Sequence, residues 1–174
     1  MDHHTVSTEE KAEAPVDQLL IEELLECKDY FLAGKKAYNF AYDNGPSDST
    51  RIIACRNSWW ALRYALDIDK CARDDTRAGA CGDPGDACSY AFHVDKSPSN
   101  TTRESACKHP LQSYCYARDI DKGPRNDTRN GACKDTEWAF YYARDIDKCF
   151  NEATYTSIHK NPREIKIYFS HINL

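Results

Sequence analysis

No run of apolar residues in this 174-residue chain approaches the ~20 that a helix needs to cross a bilayer, so no membrane span is expected. The opening stretch, MDHHTVSTEEKAEAPVD, lacks the apolar core of a secretory leader. Residues 1–16 are therefore expected to form a disordered acidic tail, and the protein to reside in a reducing, cytoplasmic setting. There is no Cys-x-x-Cys to seed a zinc site, no glycine-rich phosphate loop and no nucleophile elbow. No metal, cofactor or catalytic residue is expected. Nor is there an excess of basic charge: 23 Lys and Arg against 28 Asp and Glu leave a net charge of −5, which argues against nucleic acid as the default partner.

What the chain does hold is nine cysteines, an odd number, and a 41% hydrophobic, 29% charged composition. Without a leader, thiols are expected instead of a disulfide framework. On the same ground, the N-x-T sequons at Asn100 and Asn126 carry no meaning.

Internal repetition dominates everything else. Tyr64, Tyr90, Tyr116 and Tyr142 stand 26 residues apart. Three further registers keep that step: Asp69-Lys70, Asp95-Lys96, Asp121-Lys122 and Asp147-Lys148; Thr50-Arg51, Thr76-Arg77, Thr102-Arg103 and Thr128-Arg129; Ala54-Cys55, Ala80-Cys81, Ala106-Cys107 and Ala132-Cys133. Stepping back reaches Tyr38 and Asp43, then Cys27 after a two-residue insertion. Stepping forward reaches Tyr168 and Ile172. Such a period is the signature of a tandem array with atypical ends. The reading is an all-α solenoid of about six two-helix repeats with degenerate caps. Its units lie near 17–44, 45–70, 71–96, 97–122, 123–148 and 149–174.

Each unit reads as two short helices, twelve in all, with Asp17–Cys27 the first. Asp127 is placed as N-cap of a helix over 128–134, and Thr101 with Glu104 as a capping box. The second helix starts near Pro110 or Thr136 and carries Ala139, Tyr142, Ala143 and Ile146 at helical spacing. So small a unit cannot bury its own apolar face, and stacking against its neighbours is what buries it.

Residues repeated in every unit meet the same neighbours in every unit, so they are read as scaffold. The Ala-Cys pairs suit close helix packing, whereas the irregular Cys71, Cys88, Cys115 and Cys149 are placed at the surface. Arg51, Arg77, Arg103 and Arg129 fall near helix starts and the recurring Asp near helix ends, both poor places for their charge. An Arg–carboxylate ladder resolves both, with exposed rungs contributing roughly 0–1 kcal/mol each. The Asp-Ile-Asp of YARDIDK is not read as a calcium loop, because Gly123-Pro124 falls where further oxygen ligands belong. Histidines 93, 109, 159 and 171 share no register, and His3-His4 lies in the tail.

Function is sought where the scaffold varies. On the second helix, Glu137, Tyr141 and Arg144 form an i, i+4, i+7 stripe opposite the apolar face. The same positions read Trp59, Arg63 and Leu66; Gly85, Ser89 and Phe92; Leu111, Cys115 and Arg118; and Arg163, Ile167 and Ser170. Aromatics, Leu and Arg interleaved in this way are the residue types enriched in protein interfaces. The partner-binding candidates are Trp59, Arg63, Leu66, Phe92, Leu111, Arg118, Tyr141 and Arg144.

The 26-residue unit Y-A-x-D-I-D-K…D-T-R-x-x-A-C resembles short tandem helical repeats found in proteins of bacteriophages and large DNA viruses, over roughly 27–174. That resemblance implies a repeat fold and a viral protein that binds host machinery. The expected function is a non-enzymatic protein-binding module, in its sharpest form a phage-encoded inhibitor of a host defence complex of the CRISPR type. The alternatives are a nucleic-acid or nucleotide binder using Arg63, Arg118 and Arg144, and a self-assembling structural subunit.

Overall fold

The computed structural model describes residues 18–159 and Ser170. Among them the chain is all-helical, with eleven α-helices and no strand. The first unit consists of α1 (Gln18–Glu26) and the longer α2 (Tyr30–Asn44). Four two-helix units follow: α3 (Asp48–Ala54) with α4 (Ser58–Tyr64), α5 (Asp74–Ala80) with α6 (Pro84–Tyr90), α7 (Asn100–Ala106) with α8 (Pro110–Tyr116), and α9 (Asn126–Ala132) with α10 (Thr136–Tyr142). Helix α11 (Glu152–Ile158) opens the sixth. The expected twelfth helix and the tail at 1–16 lie outside the described residues.

Every first helix packs chiefly on the second helix before it, α3 on α2, α5 on α4 and onward to α11 on α10. First helices also touch first helices of the next unit, and second helices touch second helices. Contacts thus run between nearest units in two rows, which defines an α-solenoid.

What locks a unit is one buried tyrosine. In the unit of α7 and α8, Tyr116 is fully buried, and its hydroxyl lies 2.8 Å from Thr102 Oγ1. That hydroxyl also accepts the Ser99 N–H at 3.0 Å and donates to the Ser99 carbonyl at 3.0 Å. Tyr64, Tyr90 and Tyr142 repeat the arrangement on Thr50, Thr76 and Thr128. The recurring Thr is therefore the polar partner that lets a phenol enter the core without an unmet hydrogen bond.

The Arg–Asp ladder exists, and each rung lies within one unit: Arg51–Asp69, Arg77–Asp95, Arg103–Asp121 and Arg129–Asp147. Two expectations about it are corrected. The arginines are the fourth of seven residues in their helices, midway along and not at the start. The rungs are also withdrawn from solvent: the Asp side chains are buried in all four, and the Arg side chains range from 6% accessible at Arg51 and Arg103 to 21% at Arg77. Each guanidinium holds both Asp oxygens, reaches back to the first helical residue (Asn100 Oδ1 at 2.9 Å for Arg103) and covers the face of the buried Tyr. Asp43, the first-unit counterpart, is exposed and forms no rung.

The second helices depart from α-periodicity where this lock requires it. Tyr64 and Asp69 are five residues apart, which in an α-helix turns them about 140° from each other. Helices α4, α6, α8 and α10 instead run into a π turn, at Ala65–Asp69, Ala91–Asp95, Ala117–Asp121 and Ala143–Asp147. Its i→i+5 bonding stacks residue i+5 over residue i, so Tyr and Asp reach the same first helix. The chain leaves each π turn through a lysine in the left-handed region, Lys70, Lys96, Lys122 and Lys148, with φ of 53–57°. That state costs an L residue about 1–2 kcal/mol.

Caps differ from the expectation as well. Helix α9 is capped at Arg125, with Asp127 two residues inside, where it accepts the Thr128 N–H at 2.8 Å. Helix α7 is capped by Ser99, which accepts the Thr102 N–H, so Thr101 and Glu104 form no box. A hydroxyl thus caps α3 and α7, and an inner Asp takes the same N–H in α5 and α9. Of the irregular cysteines, Cys71 and Cys149 are exposed, but Cys88 is buried and Cys115 half-buried, because their helix packs that face on the next unit. Burial pushes the repeat thiols up, Cys55 to about 12 and Cys107 and Cys133 to about 11, which leaves them inert packing groups.

Candidate binding face

The row of second helices presents the variable positions, but the π turns break the expected stripe. Trp59 and Phe92 are open to solvent, 47% and 51% accessible. Leu111 is half-buried, and Leu66 packs against the core formed by Ala61, Leu62, Ala65, Ala80 and Tyr90. As a free contact residue Leu66 is corrected: it is half-buried on that core, although Phe92 at the same register stays open. The arginines are engaged at home: Arg63 with Asp67, Arg118 with Asp119 and Arg144 with Asp145, each at 2.6 Å.

Two aromatic clusters bridge successive units on this face. In one, Trp60 meets Phe31 and Tyr38, ring centroids 5.6 and 5.2 Å away, and Tyr38 donates to Asp67 at 2.8 Å. In the other, Trp138 meets Tyr114 and Tyr141 at 5.6 and 5.5 Å, and Tyr114 donates to Asp145 at 2.8 Å. Arg144 lies 4.9 Å over Tyr141, and Arg118 lies 5.0 Å over Tyr114. Tyr141 and Arg144 are thus half-buried members of a packed cluster rather than open contacts. The carboxyls of Asp119 and Asp145 are held below their ordinary range by hydrogen bonds from Arg118 and Arg144.

Between the clusters, the unit of α6 carries Gly85, Cys88 and Ser89 where its neighbours carry larger side chains. The result is a cleft of about 190 Å³ beside Phe92, His93 and Cys115. The sequence reading missed Tyr114, Trp138, Tyr38 and the first Asp of Asp-Ile-Asp. The shared register of Trp60 and Trp138, and of Asp67, Asp119 and Asp145, was the available signal. Among the described residues no three His, Cys, Asp or Glu converge as metal ligands, and no helix is long and apolar enough to cross a membrane. Compared with known proteins, the chain matches no family model, no curated protein and no solved structure.

Proposed function

We propose that the chain is a non-catalytic protein-binding repeat module whose partner docks on the second-helix row. The observation that carries this reading is that two registers of the second-helix row, fixed by the same scaffold in every unit, present different side chains in each, with one open aromatic in either register, Trp59 and Phe92. Open aromatics on a rigid surface are the residue type that dominates binding energy at protein interfaces. The arginines of this face are neutralised by their own unit's carboxylates, which leaves little free positive charge for a phosphate backbone. The narrowest form of the proposal, an inhibitor of a host defence complex of the CRISPR type, draws on the resemblance of the 26-residue unit to phage and large-virus repeats.

The test is affinity capture from host lysate with the Trp59→Ala, Phe92→Ala double variant. The expected outcome is loss of the captured protein, with stability within about 0.5 kcal/mol of the parent, as befits surface positions. Unchanged capture, or loss that merely follows a fall in stability, rejects the face.

A further inference from the structure

Four lysines occupy one position of the repeat, Lys70, Lys96, Lys122 and Lys148, and all are exposed at positive φ. Glycine is the default residue at a left-handed helix exit, because it has no Cβ to crowd the carbonyl. Here every copy keeps a long cationic side chain there instead. The ammonium groups do not close the helix ends, since backbone N–H groups do so: Lys148 donates to the Ala143 carbonyl and Gly123 to the Ala117 carbonyl. Among the described residues none of the four enters an ion pair or a side-chain hydrogen bond, in contrast to the repeat arginines.

Three of these lysines, Lys70, Lys96 and Lys122, wall a row of clefts beside the π turns. One cleft lies between Pro46, Ile68 and Lys70; the next between Leu66, Val94, Lys70 and Lys96; the third, of about 380 Å³, between Phe92, Pro98, Ile120, Lys96 and Lys122. Lys70 and Lys96 each border two clefts, so the row is continuous along the array. Each cleft holds apolar side chains (Pro46 and Ile68, Leu66 and Val94, Phe92 and Ile120) beside polar groups that include Asp67, His93 and Asp119, and each rim carries lysine.

We infer that this edge holds an extended acidic peptide segment, with an apolar side chain in each cleft and a carboxylate at each lysine. Packed helices advance about 8–10 Å per step, and an extended chain in the polyproline II conformation advances about 3.1 Å per residue with three residues per turn, which brings every third side chain to one face. The matching segment therefore carries an acidic residue at roughly every third position, with apolar residues between. A nucleic acid fits less well, because Asp67 and Asp119 line the first and third clefts and would face a uniformly charged backbone. The inference rests on the protein-binding reading and extends it around Phe92, which belongs to both surfaces.

The test is fluorescence anisotropy with a labelled peptide of Leu-Ser-Glu triplets, a scrambled peptide of the same composition and a dT oligonucleotide. The triplet peptide is expected to bind the parent protein, and the scramble to bind about tenfold more weakly. Lys96→Gly with Lys122→Gly, which suits the left-handed backbone and so keeps the fold, is expected to weaken the triplet peptide about tenfold at an unchanged or raised melting temperature. Trp59→Ala is expected to leave peptide binding intact. Equal binding of triplet and scramble, or of parent and lysine variant, overturns the lysine row; if Trp59→Ala still loses its lysate partner, the protein-binding reading survives that failure. Tight, steeply salt-dependent binding of the oligonucleotide overturns both.

Discussion

Arg103 is held by three different groups at once. It binds Asp121 through both carboxylate oxygens, reaches Asn100 and covers Tyr116. An exposed pair contributes roughly 0–1 kcal/mol, whereas removing one partner of a buried pair strands the other charge and costs about 3–5 kcal/mol. Arg103→Ala is therefore expected to destabilise the array by about 3–5 kcal/mol, and Arg118→Ala, whose pair with Asp119 is half-exposed, by under about 1 kcal/mol. Urea denaturation of the two variants checks the contrast, and equal losses would show that burial does not govern the rung. The repeated Arg and Asp were legible as partners in the sequence. Their burial was not, because nothing local says that a Tyr ring and a helix close over them.

Units approach one another through small residues that differ from unit to unit yet compensate. Position 105 is Ser, which donates to the Cys81 carbonyl of the unit before it at 2.8 Å, and Ser157 does the same to Cys133 at 2.9 Å. At the same register Gly131 faces Ser113, and a Cβ there would lie 2.9 Å from Ser113 Cβ and 3.0 Å from the Cys107 carbonyl. Eighteen residues before Ser105 and Ser157 stand Ala87 and Ala139, where Ser113 precedes Gly131. Gly131→Ser is expected to cost about 1–3 kcal/mol by overpacking. Adding Ser113→Ala, which recreates the Ser-with-Ala pairing found at Ser105 and Ser157, is expected to restore most of that loss. A double-mutant cycle by thermal melting measures the coupling, and simple additivity would reject direct contact between the two sites.

Stability of the whole array should fall at both ends of the pH scale, for opposite reasons. Burial raises the Cys55, Cys88, Cys107 and Cys133 thiols to about 11–12, and burial also raises the Tyr64, Tyr90, Tyr116 and Tyr142 phenols. These groups stay protonated in the fold after the unfolded chain has released its protons, so the unfolded state binds fewer. Their contribution is complete below the ordinary thiol value of about 8.5 and is lost as pH rises through the folded values. Asp119 and Asp145, held low by Arg118 and Arg144, act the other way: their contribution is present above about 3.9 and is lost as pH falls through their lowered values. Melting temperature is expected to decline progressively above about pH 8.5, and Cys107→Ala with Cys133→Ala to flatten that decline. A melting series from neutral to alkaline pH that shows no such flattening would place these thiols in water.

The all-α class, the step of 26 residues and the recurring Tyr, Thr, Arg, Asp and Cys were determined by the sequence alone, since repetition within one chain exposes which positions share an environment. Tertiary structure decided the rest. It ran α4, α6, α8 and α10 into π turns so that pairs such as Tyr116 and Asp121 reach one partner helix, placed the left-handed Lys70, Lys96 and Lys122 in a continuous row, and drew Leu66, Tyr141 and Arg144 into packing while leaving Trp59 and Phe92 open. The rungs close across 18 residues, and the aromatic bridges Tyr38–Asp67 and Tyr114–Asp145 across 29 and 31. Helical periodicity spans only a turn or two, so contacts at those separations, and the surfaces they leave exposed, exist only once the units have stacked.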